Sequence, residues 1–286
     1  MKKSICIKTN NNKTLNYLLN YFKDISNTSV SLNHFKIYDN IIIHYLDDNL
    51  NTFHNTITDA ILNVIITFYE KNLFKRILNT HYFYFLDIEK SEILNLCTEL
   101  ISSNEISHDK IPIYLRKQIL LFESIYEYIQ NNKNIVLDGV INFRLKKYID
   151  LLDEIVDLSV NNFILKREYL EFIKLLKLYV DSKDCLVNTV HLIYTDGNSK
   201  LLDEDKNLID LDNDAFNLKY LSDISFSSND YALNTLLTLL PNKIMLHLSN
   251  YIKDDFINSL EMIFENKLII CTNCELCQKN ELINIK

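Results

Sequence analysis

The chain of 286 residues contains only two glycines, Gly139 and Gly197, and this scarcity restricts the folds and sites that it can build. A phosphate-binding P-loop needs several glycines in one short loop, because its backbone must approach a phosphate closely, and the Gly-x-Gly-x-x-Gly turn of dinucleotide-binding folds has the same need. Two isolated glycines form neither motif. His-Glu-x-x-His and Gly-x-Ser-x-Gly, the signatures of two common hydrolase classes, are also absent from the sequence.

The composition is that of a folded, acidic protein. Hydrophobic residues make up 48% and charged residues 24% of the chain, close to the average for globular proteins. The formal net charge of −8 disfavours general nucleic-acid binding, because phosphate neutralisation requires a surplus of Lys and Arg. The most apolar windows, residues 60–69 and 233–240, are much shorter than the ~20 residues of a bilayer span, and no signal-peptide core follows the first lysines. We therefore expect a cytoplasmic protein without a membrane span.

Residues 1–108 mix two periodicities, which predicts an α/β N-terminal region. Strand-like stretches are 4–8, 30–38 and 41–46, with a turn expected at Asp39-Asn40. Apolar residues at helical spacing predict helices over 15–25, 52–72 and 91–102. The polar segment 103–110 interrupts these patterns, so we place a boundary between regions there.

Residues 109–182 are predicted to be helical throughout. Two apolar stripes with helical spacing occupy this region. The first stripe consists of Ile141, Leu145, Tyr148, Leu152 and Ile155, and the second of Leu165, Tyr169, Phe172, Leu176 and Tyr179. The polar pair Asn161-Asn162 separates the stripes, so we expect two helices that pack as an antiparallel hairpin and bury both.

Residues 183–286 are predicted to form a C-terminal α/β region. Strand-like segments at 187–194, 243–248 and 267–271 alternate with helical segments at 231–240 and 254–265. Asp196-Gly197 marks a turn. The final strand, helix and strand predict two parallel neighbouring strands. With the mixed α/β N-terminal part and the central helical hairpin, this region gives a helix-rich α+β fold.

The sharpest chemical signal is Cys-Thr-Asn-Cys-Glu-Leu-Cys, which places Cys271, Cys274 and Cys277 at the end of a predicted strand. Two residues between thiolates allow both sulfurs to reach one metal ion, as in zinc and iron–sulfur sites. A structural zinc site needs a fourth ligand. His247 is the candidate, because it lies near the end of the strand expected beside the one that carries Cys271.

Alternatives to this assignment remain open. His191, in another predicted strand, and Cys185, just before it, are the other candidates for the fourth ligand. The spacing also matches the first three cysteines of bacterial ferredoxin sequences, but the fourth Cys and its following Pro are missing. Reduced thiols without a ligand, or a redox pair of Cys274 and Cys277, are the competing interpretations.

Two stretches carry a family resemblance. FRLKKYIDLLDEIVDLSVNNFILKREYLEFIKLLKLYV, from Phe143 to Val180, and LIICTNCELC, from Leu268 to Cys277, resemble the YtxC-like sporulation proteins. These are intracellular proteins of spore-forming Firmicutes without an established activity or cofactor. The resemblance therefore implies a sporulation context and transfers no functional residue to this chain.

Two functional hypotheses follow. The first is a non-catalytic or regulatory protein associated with sporulation, which binds a protein partner and whose cysteines, when metallated, hold the C-terminal tail in place. The second is an enzyme or redox protein in which Cys271, Cys274 and Cys277 bind zinc or an iron–sulfur cluster. The absence of common catalytic signatures favours the first.

Overall fold

The computed structural model describes residues 3–105, 110–209, 227–248, 254–271 and 274–279. These residues form helices and two small mixed sheets, so the α+β class predicted from the sequence is confirmed. None of the helices in these ranges is both long enough and apolar enough to cross a membrane.

The chain divides into two compact units, Met1–Leu165 and Lys166–Lys286. The sequence instead suggested three segments, 1–108, 109–182 and 183–286, which follow the type of element. The first of those boundaries lies outside the described residues. The three-segment division stays a prediction.

A four-stranded sheet in the first unit has the strand order β2-β3-β1-β4. Its strands are β1 (Lys3–Thr9), β2 (Thr28–His34), β3 (Asp39–Tyr45) and β4 (Asn134–Val136). β3 pairs antiparallel with β1 and β2, and β4 pairs parallel with β1. Alternation along β1 and β3 buries one set of side chains: Ile5, Ile7, Ile41, Ile43 and Tyr45. The three strands expected before residue 50 are present.

The turn between β2 and β3 lies at residues 35–38, so its predicted place at Asp39-Asn40 is wrong. Asp39 begins β3 and is the register partner of His34, the last residue of β2. The His34 ring nitrogen Nδ1 lies 2.7 Å from the Asp39 carboxylate. This cross-strand pairing extends the hairpin through Asp39.

Helices surround this sheet and complete the core of the first unit. They are α1 (Asn12–Lys23), α2 (Leu50–Val64), α3 (Glu70–His81), α4 (Asp87–Ile101), α5 (Ile113–Asn131) and α6 (Leu137–Phe143). Between α2 and α3, Ile65–Tyr69 forms a π-helical turn. Leu18 of α1, Ile57 of α2 and Leu121 of α5 are fully buried in the shared core.

The next helix, α7 (Lys146–Asp181), is continuous over 36 residues, so the predicted break and the helical hairpin are wrong. Asn161 and Asn162 are helical and exposed. An exposed Asn costs at most about 0.7 kcal/mol relative to Ala in a helix, and no Gly or Pro stands here to end it. Packing of the flanking turns outweighs this weak preference.

The first apolar stripe is buried as expected, whereas the second is not. All five residues of the first stripe, Tyr148 and Leu152 among them, are buried in the core of the first unit. The second stripe is largely exposed: Leu165, Tyr169, Phe172 and Tyr179. Ile173 and Val180 are instead buried in the core of the second unit.

The second unit contains a sheet with the strand order β6-β5-β7-β8. The strands are β5 (Val187–Thr195), β6 (Asn198–Leu202), β7 (Pro241–Leu248) and β8 (Leu268–Cys271). β5, β7 and β8 are parallel, and β6 pairs antiparallel with β5. Asp196 (φ 49°) and Gly197 (φ 80°) form the tight turn between β5 and β6, as expected. The final strand, helix and strand are also present.

Three helices accompany this sheet: α8 (Ser228–Leu239), α9 (Asp255–Phe264) and α10 (Glu275–Lys279). Leu192 of β5, Leu246 of β7, Leu236 of α8 and Leu260 of α9 are fully buried in one core. Because side chains alternate along a strand, residues of the other parity, such as His247, face the opposite side of the sheet.

Candidate metal centre

His247 and Cys271 lie side by side on neighbouring parallel strands. They are direct partners in the register of β7 and β8. His247 is the penultimate residue of β7, and Cys271 is the last residue of β8. Because the carboxyl ends of parallel strands meet at one edge of a sheet, both side chains reach that edge.

Cys274 and Cys277 approach the same edge from the segment that follows β8. Cys274 immediately precedes α10, and Cys277 lies within it. The Cys277 thiol donates a hydrogen bond to the Cys271 carbonyl oxygen at 3.1 Å, which ties α10 to the end of β8. The short helix thus places the Cys274 and Cys277 thiols beside the end of β8, which carries Cys271.

The four ligand atoms form a compact group. Nδ1 of His247 lies 3.2 Å from Sγ of Cys274 and 3.5 Å from Sγ of Cys277. Sγ of Cys277 lies 3.6 Å from Sγ of Cys274 and 3.9 Å from Sγ of Cys271. All four atoms fall within 4.8 Å of one another.

These separations fit one tetrahedral ion. Zinc bonds of ~2.3 Å to sulfur and ~2.0 Å to nitrogen require about 3.8 Å between two sulfurs and about 3.6 Å between sulfur and nitrogen. The sulfur–sulfur distances of 3.6 and 3.9 Å bracket the first value, and the nitrogen–sulfur distances of 3.2 and 3.5 Å lie close to the second. The four side chains are therefore close enough to hold one metal ion.

Burial differs among the ligands. His247 is 2% exposed and Cys277 7% exposed, whereas Cys271 and Cys274 are half-buried. A buried polar ring and thiol need partners, and each finds them within this group. The group therefore has an inner, solvent-shielded side and an outer side closer to water.

The thiols differ in acidity. Burial raises the pKa of the Cys274 thiol, but hydrogen bonding with the Cys277 backbone and with the Cys271 and Cys277 side chains outweighs this effect, so the net pKa is lowered. Burial, together with the neighbouring thiols, raises the pKa of Cys277 to about 11. Cys274 therefore loses its proton before Cys277 does and offers a thiolate to a metal more readily.

His247 is neutral in this setting. Burial lowers its pKa, and His191 and Lys206 lower it further. A metal binds the lone pair of a neutral imidazole nitrogen, so the local electrostatics suit a ligand role for Nδ1.

The alternative fourth ligands lie elsewhere. Cys185 is exposed, with its sulfur 3.6 Å from the Lys267 ammonium and 4.0 Å from the Asn242 side-chain oxygen. His191 contacts His247 rather than the thiols: its Nδ1 lies 2.9 Å from Nε2 of His247. Sequence reasoning considered His191 as a ligand but missed this contact, because it depends on the register between β5 and β7.

A buried polar cluster in the first unit was also missed. The Tyr148 hydroxyl donates a hydrogen bond to the Glu70 carboxylate at 2.6 Å, and the Lys117 ammonium lies 3.3 Å from the same carboxylate oxygen. Burial, together with the Glu70 carboxylate, raises the pKa of Tyr148. The three residues stand far apart in the sequence and follow no motif, so no local signal marks them.

Comparison with known protein families identifies a family for this chain. The sequence profile of the YtxC-like family matches residues 55–269. No curated protein and no solved structure matches the chain significantly. The matched stretch includes His191 and His247 and ends just before Cys271. The three cysteines therefore lie beyond it.

Proposed function

This chain belongs to the YtxC-like family, and we propose that it is a cytoplasmic, sporulation-associated protein without catalytic activity of its own. In this proposal, Cys271, Cys274, Cys277 and His247 hold one zinc ion that fixes the C-terminal segment to the sheet of the second unit. The sporulation context is supported by the resemblance of residues 143–180 and 268–277 to sporulation proteins. The net charge of −8 supports a protein partner over a nucleic acid.

The observation that carries the zinc proposal is the convergence of three sulfurs and one imidazole nitrogen, all within 4.8 Å of one another. Thiolate and imidazole are the ligands that zinc prefers in structural sites, and three cysteines with one histidine is a known structural set. A [4Fe–4S] or [2Fe–2S] core places several atoms between its ligands, which would require wider separations. The spacing therefore favours a single ion.

The count of ligands supports a structural role over a catalytic one. Catalytic zinc sites have three protein ligands and leave one position open for water or substrate, whereas structural sites are closed by four. Here four protein side chains converge, and two of them, His247 and Cys277, are buried. When bound, zinc would supply folding free energy by joining α10 to β7 and β8.

A redox protein with one iron ion at the same four ligands is the second candidate. Cys271 and Cys274 are half-buried, so electron exchange with a partner at this side is feasible. An iron–thiolate centre absorbs visible light, whereas zinc is colourless, because zinc has a filled d shell. Colour therefore distinguishes the two candidates.

Metal analysis of the full-length chain, purified without oxygen, tests the proposal. We expect about one zinc per chain and no visible absorption. Cys274→Ser removes a ligand and should lose most of this zinc. Cys185→Ser is the matched control, because Cys185 is a thiol of the same unit outside the group, and it should keep the wild-type zinc content.

Each outcome has one interpretation. Iron with a thiolate charge-transfer band supports the redox candidate. A wild-type chain without metal after zinc addition, with all six thiols freely titratable, contradicts a metal site of either kind.

The proposed role in sporulation is tested by counting heat-resistant spores in a strain without the gene. We expect fewer spores than in the wild-type strain, and an unchanged count contradicts the sporulation role alone.

A further inference from the structure

His247 uses both of its ring nitrogens in the structure. Nδ1 faces the thiols of Cys274 and Cys277, at 3.2 and 3.5 Å. Nε2 faces Nδ1 of His191, at 2.9 Å. The ring centroids of the two histidines are 5.2 Å apart with an angle of 25° between their planes. The His191 contact thus lies on the side of the ring opposite the ligand group.

The register of the sheet produces this contact. His191 on β5 pairs with Met245 on β7, two residues before His247. Side chains two residues apart on a strand project to the same face, so His191 and His247 share the face opposite the hydrophobic core. His247 is 2% exposed, so in this structure His191 rather than solvent contacts its Nε2.

Metal binding fixes the proton positions of both rings. A zinc ion at Nδ1 of His247 takes the lone pair there, so the single proton of the neutral ring must sit on Nε2. The Nε2–H group then donates to His191, whose Nδ1 must be the unprotonated acceptor.

We propose that His191 is a positioning residue for the metal centre: its Nδ1 accepts a hydrogen bond from Nε2–H of His247 and thereby aims Nδ1 of His247 at the three thiolates. This inference rests on the proposed zinc function. It adds an outer partner, and outer partners of this kind orient the metal-binding histidine and raise its basicity. The proposal also requires that the zinc ion bind Nδ1 of His247 rather than Nε2.

Two substitutions of His191 separate the hydrogen bond from simple packing. His191→Phe keeps a planar ring but has no acceptor, and we expect its zinc affinity to fall about 10- to 100-fold, the usual effect of losing such a partner. His191→Asn places its Oδ1 where Nδ1 of histidine stands, so it should recover most of the affinity. His44→Phe, a half-buried histidine of β3 in the first unit, is the matched control and should bind zinc as wild type does.

Competition with a calibrated chelator measures zinc affinity in the full chain, and circular dichroism confirms that each variant is folded. Equal affinity in wild type and His191→Phe overturns the positioning role while leaving the zinc site intact. Equal losses in His191→Phe and His191→Asn also overturn it, because packing alone then explains the effect. A wild-type chain that binds no zinc overturns both this inference and the proposed function.

A second measurement needs no substitution. In the zinc-bound wild type labelled with ¹⁵N-histidine, long-range proton–nitrogen spectra report which nitrogen of each ring carries a proton. We expect Nε2 of His247 to be protonated and Nδ1 of His191 to be unprotonated. A zinc-bound Nε2 in His247, or a proton on Nδ1 of His191, overturns the assignment.

Discussion

Glu70 forms a buried ion pair with Lys117 in the core of the first unit, and we predict that Glu70→Leu strongly destabilises that unit. The Glu70 carboxylate accepts a hydrogen bond from the Tyr148 hydroxyl at 2.6 Å and lies 3.3 Å from the Lys117 ammonium. Glu70 is 8%, Lys117 6% and Tyr148 0% exposed. Leucine removes the acceptor of both donors and leaves a buried ammonium without its counter-charge.

The magnitude follows from these contacts. Removal of one partner from a buried ion pair costs about 3–5 kcal/mol, and a buried hydroxyl left without a partner costs about 1–3 kcal/mol. Because the two costs share one site and overlap, we expect the free energy of unfolding to fall by about 4–6 kcal/mol. The double variant Glu70→Leu/Lys117→Met removes both charges. It should recover all but the Tyr148 contribution, since apolar replacement of a whole buried pair is often neutral.

Urea unfolding followed by circular dichroism measures the loss, and hydrogen exchange with mass spectrometry assigns it to the first unit, because the two units need not unfold together. Glu99→Leu, at an exposed position of α4, is the control and should change stability by no more than about 0.5 kcal/mol. A Glu70→Leu variant within 1 kcal/mol of wild type, on the order of a surface change, would refute the reasoning. A double variant as unstable as the single one would do the same.

Two further predictions concern pH and backbone conformation. Burial raises the pKa of the Asp153 carboxyl, although attraction from His81 opposes the rise. The carboxyl therefore stabilises the fold only in its protonated form. This stabilisation is fully present below the unfolded pKa of about 3.9 and is lost as pH rises through the folded pKa. Asp153→Asn should therefore be more stable than wild type at neutral pH and lose this advantage towards pH 4, as measured by urea unfolding across that range; a difference independent of pH contradicts it. Gly197 has φ 80° and open space around the position of a Cβ, so Gly197→Ala should destabilise the second unit by about 1–2 kcal/mol through backbone strain alone. Gly139→Ala in α6 meets only ordinary contacts with Val136 and should stabilise the first unit by about 0.5–1 kcal/mol, so thermal shifts of the same sign in both variants would contradict the conformational argument.

Local patterns in the sequence predict most elements and fail where tertiary packing decides. Strand-like patterns located β1, β3, β5 and β7, and along β1 and β3 buried side chains alternate with half-buried ones. The Asn161-Asn162 pair was interpreted as a break, yet α7 continues through it because apolar side chains on both sides are buried. The helical break was thus inferred from a preference too weak to oppose packing.

The candidate site shows the same division between local and tertiary information. The cysteine spacing and the parallel strands were enough to bring Cys271, Cys274, Cys277 and His247 together, because the order of elements fixes which strand ends meet. The contact between His191 and His247 required the register of β5 against β7. No periodicity in the sequence specifies a parallel register, since the two strands are joined through a long crossover.

The position of β8 explains why a metal would stabilise this part of the chain. β8 has four residues and lies at the edge of the described sheet, where it pairs only with β7. Leu268 and Ile270 in this strand are only partly buried against the core and Ile269 is 41% exposed, so hydrophobic burial holds this edge less firmly than the inner strands. The core of the second unit is formed by side chains of α7, β5, β6, β7, α8 and α9 and contains none of the three cysteines. Zinc at His247 and the thiols would therefore act on the outer edge, joining a short strand and a short helix to a sheet that has its own core.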